Sequence, residues 1–204
     1  MASVRPRAYA GAAMRAHAHH RYTWDEYMAL EQASPVKHEY FDGEIFAMAR
    51  GTPEHSQLSV RVTAELSAQL RGTPCVPYNS DLRVRVLATG LTTYPDASVV
   101  CGPLEYDPED RNKHTVTNAA VVIEVLSPST EEYDRGDKFT SFRRMPSLRH
   151  YVLVSYREPL IEVFSRTSAD EWTRLEARTG ASVGLPAIGC TLRVDAIFEG
   201  VPLR

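Results

Sequence analysis

The sequence predicts an α/β fold of mixed α+β character, a central mixed sheet with helices packed on it. Two observations lead there. Helix-period and strand-period segments interleave along the chain in the order helix, hairpin, helix, strands, helix, strands. The run at residues 119–126, "AAVVIEVL", is apolar at almost every position, the pattern of a strand covered on both faces. At 204 residues the chain is sized for one domain with its own core. That domain is expected over residues 22–204, with residues 1–21 as a disordered tail. The "AHAHH" of the tail, with His17, His19 and His20, reads as a flexible arm.

Each element follows from local chemistry. In "TWDEYMALEQ", Thr23 with Glu26 three residues later forms a capping box that opens a short helix, and Pro35 follows its end. "KHEYFDGEIFAM" reads as a hairpin turning at Asp42-Gly43. The clearest helix is "RGTPEHSQLSVRVTAELSAQLRG", with Thr52 as cap, Pro53 at its first position and Gly72 at its end. Its inward stripe is Leu58, Val62, Leu66 and Leu70, and His55 lies on the same face one turn before Leu58. "CVPYNSDLRVRVLA" and "TTYPDASVVCG" are strand-like, the first alternating through Leu82, Val84 and Val86. A polar loop, "EYDPEDRNKHTVTN", leads into the buried strand. "SPSTEEYDRGDKFTSFRRM" is then expected as one helix with a second capping box, Ser129 and Glu132, and Pro146 as its stop. "RHYVLVS" is a further strand. "PLIEVFSRTSADEWTRLEAR" reads as a hairpin around a Ser-Ala-Asp-Glu turn, with strand pieces after it.

Composition sets outer limits. A formal net charge of -3 argues against a protein that coats nucleic acid indiscriminately, while leaving room for a local basic site. No apolar run approaches the ~20 residues that cross a bilayer, and no leucine-rich leader core is visible, so a cytoplasmic protein without membrane contact is expected. Cys75, Cys101 and Cys190 are far apart with no C-x-x-C, which fits reduced thiols. There is no Gly-rich phosphate loop, no G-x-S-x-G elbow and no helix-turn-helix or zinc finger.

The residues that carry chemistry are acids in the wrong places. Glu124 interrupts the buried strand, and Asp96 follows Pro95 at the start of another apolar strand. Unpaired buried carboxylates are costly, and sharing a divalent cation, Mg²⁺ or Mn²⁺, lowers that cost. The alternatives are a core arginine or backbone donor for Glu124, and a turn-capping role for Asp96. Asp134, Lys138 and Phe142 share one face of the following helix, from which Lys138 can reach back to the strand ends. A lysine there can orient a metal-bound water or stabilise charge on a phosphate. Arg135, Arg143, Arg144 and Arg149 surround it in sequence, either as a solvated face or as phosphate contacts.

The run "YPDASVV" followed by "AAVVIEVLSPSTEEYDRGDKFTSFRRMPSLRHYVLVS", with "HEYFDGEIFAM" and "PEHS" upstream, resembles the Uma-two family of restriction-endonuclease-like proteins, within the PD-(D/E)xK nuclease superfamily. The resemblance covers the chain from about Tyr22 onward. It implies a restriction-endonuclease-like core, here with an extra N-terminal helix and hairpin, and metal-dependent cleavage of phosphodiester bonds in nucleic acid, with DNA as the expected substrate. It also implies Asp96 and Glu124 as metal ligands, joined by the backbone carbonyl of Val125. Where the superfamily pattern has a lysine two residues after the glutamate, this chain has Leu126; the resemblance implies a lysine moved to the following helix, which makes Lys138 the catalytic candidate. His55 is a further catalytic candidate, and Glu44, Asp134 and Arg135 are accessory candidates. The rival reading is a catalytically inactive nuclease-fold binding or scaffold protein. A homodimer would suit cleavage of both strands.

Overall fold

The computed structural model describes residues 20–48 and 51–203. Most of the expected tail therefore lies outside the described residues; its last residue, Arg21, is ion-paired with Asp42 at 2.6 Å. In chain order the elements are α1 (Trp24–Ala33), β1 (His38–Phe41), β2 (Glu44–Ala47), α2 (Pro53–Gln69), β3 (Cys75–Asn79), β4 (Arg83–Arg85), β5 (Thr92–Thr93) and β6 (Ala97–Cys101). They continue with β7 (Thr115–Val116), β8 (Ala119–Val125), α3 (Glu131–Arg135), α4 (Asp137–Phe142), β9 (His150–Val154), β10 (Leu160–Arg166), β11 (Trp172–Arg178), β12 (Ser182–Leu185), β13 (Cys190–Arg193) and α5 (Val194–Phe198).

A six-stranded mixed sheet, β11-β10-β9-β8-β6-β3, organises the molecule, with β3 and β11 at its edges. Only its β8–β9 pair is parallel, joined by α3 and α4, which returns the chain to the same end of the sheet. Every residue of β8 is buried, because both its faces are covered. Val121, Ile123 and Val125 pack under Leu58, Val62 and Leu66 of α2, with α5, β12 and β13 alongside. Val122, on the opposite face, packs with Phe139 and Phe142 of α4, Tyr151, and Val84 and Val116 of a second, five-stranded sheet, β2-β1-β5-β4-β7. Glu124 shares the parity of Val122 and so belongs to this second face. No helix among the described residues is long and apolar enough to cross a membrane.

Local rules account for much of this. Thr23 and Glu26 form both halves of the capping box. The β1–β2 turn places Asp42 at φ 48° and Gly43 at φ 77°, two consecutive left-handed residues as a tight two-residue hairpin requires. Thr52 accepts from the His55 N–H at the head of α2.

Three expectations are corrected. The segment after β8 is two short helices broken at Gly136, and neither begins with the Ser129 box: Thr130 holds the cap position of α3 without a side-chain bond. Gly136, at φ -105° and ψ -100°, departs from helical backbone, and a Cβ there would approach the Glu132 carbonyl to 3.0 Å, so glycine suits the break. Cys75 and Cys101 are not free thiols but a disulfide between β3 and β6, directly opposite in register; Cys190 is free and buried. The polar loop also carries structure: it contains β7, and its buried Asp107 and Asp110 pair with Arg85 at 2.6 Å and Arg83 at 3.1 Å.

Candidate active site

Antiparallel register sets Ala97 of β6 against Ile123 of β8, so the residues just before β6 and at the end of β8 are brought to the same place. Asp96 uses this position. Its Oδ2 accepts from the Val125 N–H at 2.8 Å and lies 3.1 Å from Nε2 of His55. The side chains of His55 and Asp96 are each 20% exposed, so this pair forms the open rim of the site. Burial alone would lower the His55 pKa, but hydrogen bonding to Asp96, its negative charge and the Val125 backbone together raise it.

The floor is closed. Lys138 Nζ lies 2.7 Å from Glu124 Oε1 and 3.3 Å from Asp134 Oδ1, with all three side chains about 5% exposed or less. The Gly136 break does not separate Asp134 from Lys138: the two stand four residues apart, and i→i−4 bonds from Gly136 to Glu132 and from Thr140 to Gly136 keep helical spacing across it. Glu39 of β1 completes the surround: its carboxylate accepts from the Tyr133 hydroxyl and, at 2.9 Å, from the Thr93 hydroxyl. Burial would strip the proton from Lys138; the charges of Glu124, Asp134 and Glu39 reverse this and hold it charged, well above the ordinary lysine value.

One ammonium does not neutralise this many acids. Burial pushes Glu124 well above the usual carboxylate range, Lys138 pulls it back, and the nearby Asp134 and Asp96 push it further up. Asp134 is raised chiefly by burial, against the pull of Lys138. Glu124 Oε1 is buried and, although close to Nζ, has no aligned hydrogen bond. Hard oxygen donors and surplus negative charge are the chemistry that suits a divalent cation such as Mg²⁺. Among the described residues no group of three or more His, Cys, Asp or Glu is gathered as a ready metal cage, so such an ion would draw further ligands from backbone and water.

Not every candidate comes to this place. Glu44 is an exposed acid opposite Phe41 in the hairpin, while Glu39, on the preceding strand, is buried beside the site. Nothing local in "HEYF" marks Glu39 as inward. Arg135 points away, to Glu131 at 3.1 Å and Glu162 at 2.5 Å. Glu162 is itself in the same cross-strand row as Glu124, with Leu153 between them.

Comparison with known proteins agrees with this architecture. A protein solved by crystallography and described as "a putative nuclease belonging to DUF820 from Anabaena variabilis" superposes with a TM-score of 0.69 at 17% identity, over 85% of this chain and 96% of that one. An uncharacterized protein of Synechocystis, slr1290, is 39% identical over 87% of this chain and 91% of its own length. A second Synechocystis protein, sll1609, also uncharacterized, is 26% identical over 74% and 84% respectively. Residues 24–195 match the family model Uma2, described as "Putative restriction endonuclease". A mixed sheet flanked by helices, a nuclease-like structural neighbour and a family match along most of the chain lead to one statement: this protein belongs to the Uma-two (Uma2) family.

Proposed function

We propose that the chain is a divalent-metal-dependent endonuclease hydrolysing phosphodiester bonds, with DNA as substrate. The observation that supports it most is the meeting of Asp96, Glu124 and Lys138 at one end of β8, between the head of α2 and the α3–α4 turn. Asp96 and Glu124, with the Val125 carbonyl, would hold Mg²⁺ or Mn²⁺. That ion supplies Lewis-acid activation of water and neutralises charge at the scissile phosphate. The chain's own residues do the rest. Asp96, fixed by the Val125 N–H, keeps its carboxylate at the rim. Lys138, ringed by acids, serves as a permanent cation beside developing negative charge rather than as a proton acceptor. His55, hydrogen-bonded to Asp96 and partly open to solvent, is the group placed to carry a proton to or from the reacting water.

The test is nicking of supercoiled plasmid in Mg²⁺ or Mn²⁺ by the wild type, Asp96→Asn and Glu124→Gln, with an RNA substrate in parallel. Loss of nicking in both variants is expected. Equal silence of all three proteins across metals and substrates ends the catalytic reading.

A second reading, an inactive nuclease-fold binding module, is favoured by one observation: Glu124 already has a cation at 2.7 Å. Calorimetric titration with Mn²⁺ separates the two. Binding abolished by Glu124→Gln supports the nuclease, and no binding, or binding indifferent to that change, supports the module.

A further inference from the structure

Most described arginines are matched by carboxylates: Arg83 by Asp110, Arg85 by Asp107, Arg135 and Arg174 by Glu162, Arg178 by Glu158 and Arg193 by Glu65. Arg71 and Arg111 have no such partner and stand apart from each other in the sequence, but four further arginines without one are gathered around one segment. Arg143 and Arg144 follow α4, Arg149 precedes β9 and Arg166 ends β10, and among the described residues no carboxylate lies within ion-pair distance of any of them. Arg143, Arg144 and Arg149 are exposed, and Arg166 is half-buried beneath them.

Arg166 braces the segment that carries the other three. Arg166 donates from Nε to the Leu148 carbonyl at 2.9 Å, from Nη1 to Ala169 at 2.7 Å, and from Nη2 to Arg143 at 2.7 Å and Met145 at 2.9 Å. Its backbone N–H bonds the Arg149 carbonyl at 2.9 Å, and its guanidinium lies 4.7 Å over the Trp172 ring. Arg166 thus ties down the loop that presents the other three. Burial, then the charges of Arg149 and Arg143, push Arg166 below the ordinary arginine value, with Asp170 as the opposing charge. Four arginines thus face one nearby acid, Asp170, whose backbone carbonyl accepts from Arg143 at 3.1 Å, leaving a net positive patch in a chain whose net charge is -3.

The patch is separate from the acid floor. The Arg149 N–H bonds the Ala120 carbonyl near the start of β8, whereas Glu124 lies near its end, four residues on. That spacing is about 13 Å along a strand, or roughly four base pairs along a duplex.

We propose that Arg143, Arg144 and Arg149, held in place by Arg166, form a docking surface for the phosphate backbone of duplex DNA, seating the duplex beside the cleavage site. The proposal rests on the nuclease reading, and its test keeps the two apart. Binding of a fluorescent duplex of about 24 base pairs, enough for two helical turns, is followed by anisotropy across a salt series in the Glu124→Gln background, which removes turnover. Arg144→Glu/Arg149→Glu is compared with Arg71→Glu/Arg111→Glu, a change of equal charge at two exposed arginines elsewhere. The expected result is at least tenfold weaker binding for the first pair and less than threefold for the second, with the salt slope reduced by about 2 in the first pair alone. Arg144→Gln/Arg149→Gln, which adds no negative charge, should fall between. Unchanged thermal unfolding checks that each variant folds.

Equal loss in both charge-reversed pairs overturns the docking surface and leaves only a net-charge effect. Tighter binding of a matching RNA duplex overturns the assignment to DNA. Absence of binding while the wild type still nicks plasmid overturns the docking surface but leaves the cleavage reading standing; absence of both removes both.

Discussion

Replacing Lys138 by methionine removes the ammonium from a buried group of acids while preserving side-chain length. Lys138 and Glu124 are each 4% exposed, and their charges are 2.7 Å apart. At an effective dielectric constant of about 20, such a pair attracts by roughly 6 kcal/mol, and desolvation offsets most of that. The measurable loss comes from the carboxylate left behind, which is expected to destabilise the fold by about 3–5 kcal/mol. Glu124→Gln should cost less, about 1–2 kcal/mol, because Lys138 keeps Asp134 at 3.3 Å. In Lys138→Met/Glu124→Gln only Asp134 is stranded, so the double variant should be less damaged than the sum, with a coupling of about 1 kcal/mol or more. The pH dependence has a definite sign. Native Glu124 and Asp134 carry carboxyl pKa values raised above their unfolded ones, chiefly by burial, and loss of Lys138 raises them further. Stability tied to a raised group is present below its unfolded pKa and is lost as pH climbs through its native pKa. The deficit of Lys138→Met should therefore shrink towards about pH 4.5 and widen towards about pH 8. Urea unfolding of the four proteins at both pH values measures it. An additive double variant, or a deficit that ignores pH, would refute the shared buried charge.

Other parts of the fold make their own predictions. His150 is buried; Nε2 accepts from the Ala187 N–H at 3.2 Å and Nδ1 meets the Ser165 hydroxyl at 2.9 Å, which suits a neutral ring protonated at Nδ1. Burial lowers its pKa from 6.5 to about 4. Stability tied to it should hold above 6.5 and fall on acidification through that window, by at most about 3 kcal/mol, and His150→Gln should flatten this part of a pH-resolved urea series. Reducing Cys75–Cys101, which are 26 residues apart in sequence, should lower unfolding free energy by up to about 3.5 kcal/mol on chain-entropy grounds; an unchanged urea midpoint in dithiothreitol counts against the bridge. Glu39→Ala leaves the Tyr133 and Thr93 hydroxyls without their acceptor and should cost about 1–3 kcal/mol, whereas Glu44→Ala, at an exposed position, should cost under about 0.5 kcal/mol in the same denaturation assay.

What could be read from the sequence divides along physical lines. α2, the Asp42-Gly43 hairpin and the wholly buried β8 were legible because caps, turn residues and apolar periodicity act within one element. Asp96, Glu124 and Lys138 were legible as polar residues set against their surroundings, and resemblance joined them. The direct ion pair between Lys138 and Glu124 was not, since whether a lysine meets a glutamate depends on how two short helices turn at Gly136. Glu39 escaped for a related reason: its burial depends on Tyr133 and Thr93, which come from elements far away in sequence. The Cys75–Cys101 bridge depends on the register between β3 and β6, which no local pattern sets.

The two edges of the central sheet govern how this protein can meet a second copy of itself. At one edge, β3 carries Pro77, which lacks the N–H that an incoming strand would bond, and the β3–β6 disulfide fixes the strand in place. At the other, β11 presents Arg174, Glu176 and Arg178, charged side chains already engaged with one another and with Glu162 and Glu158. Neither border accepts a new strand readily. The central sheet therefore has no free end from which to polymerise, and a pairing of two copies would have to use other surfaces of the molecule.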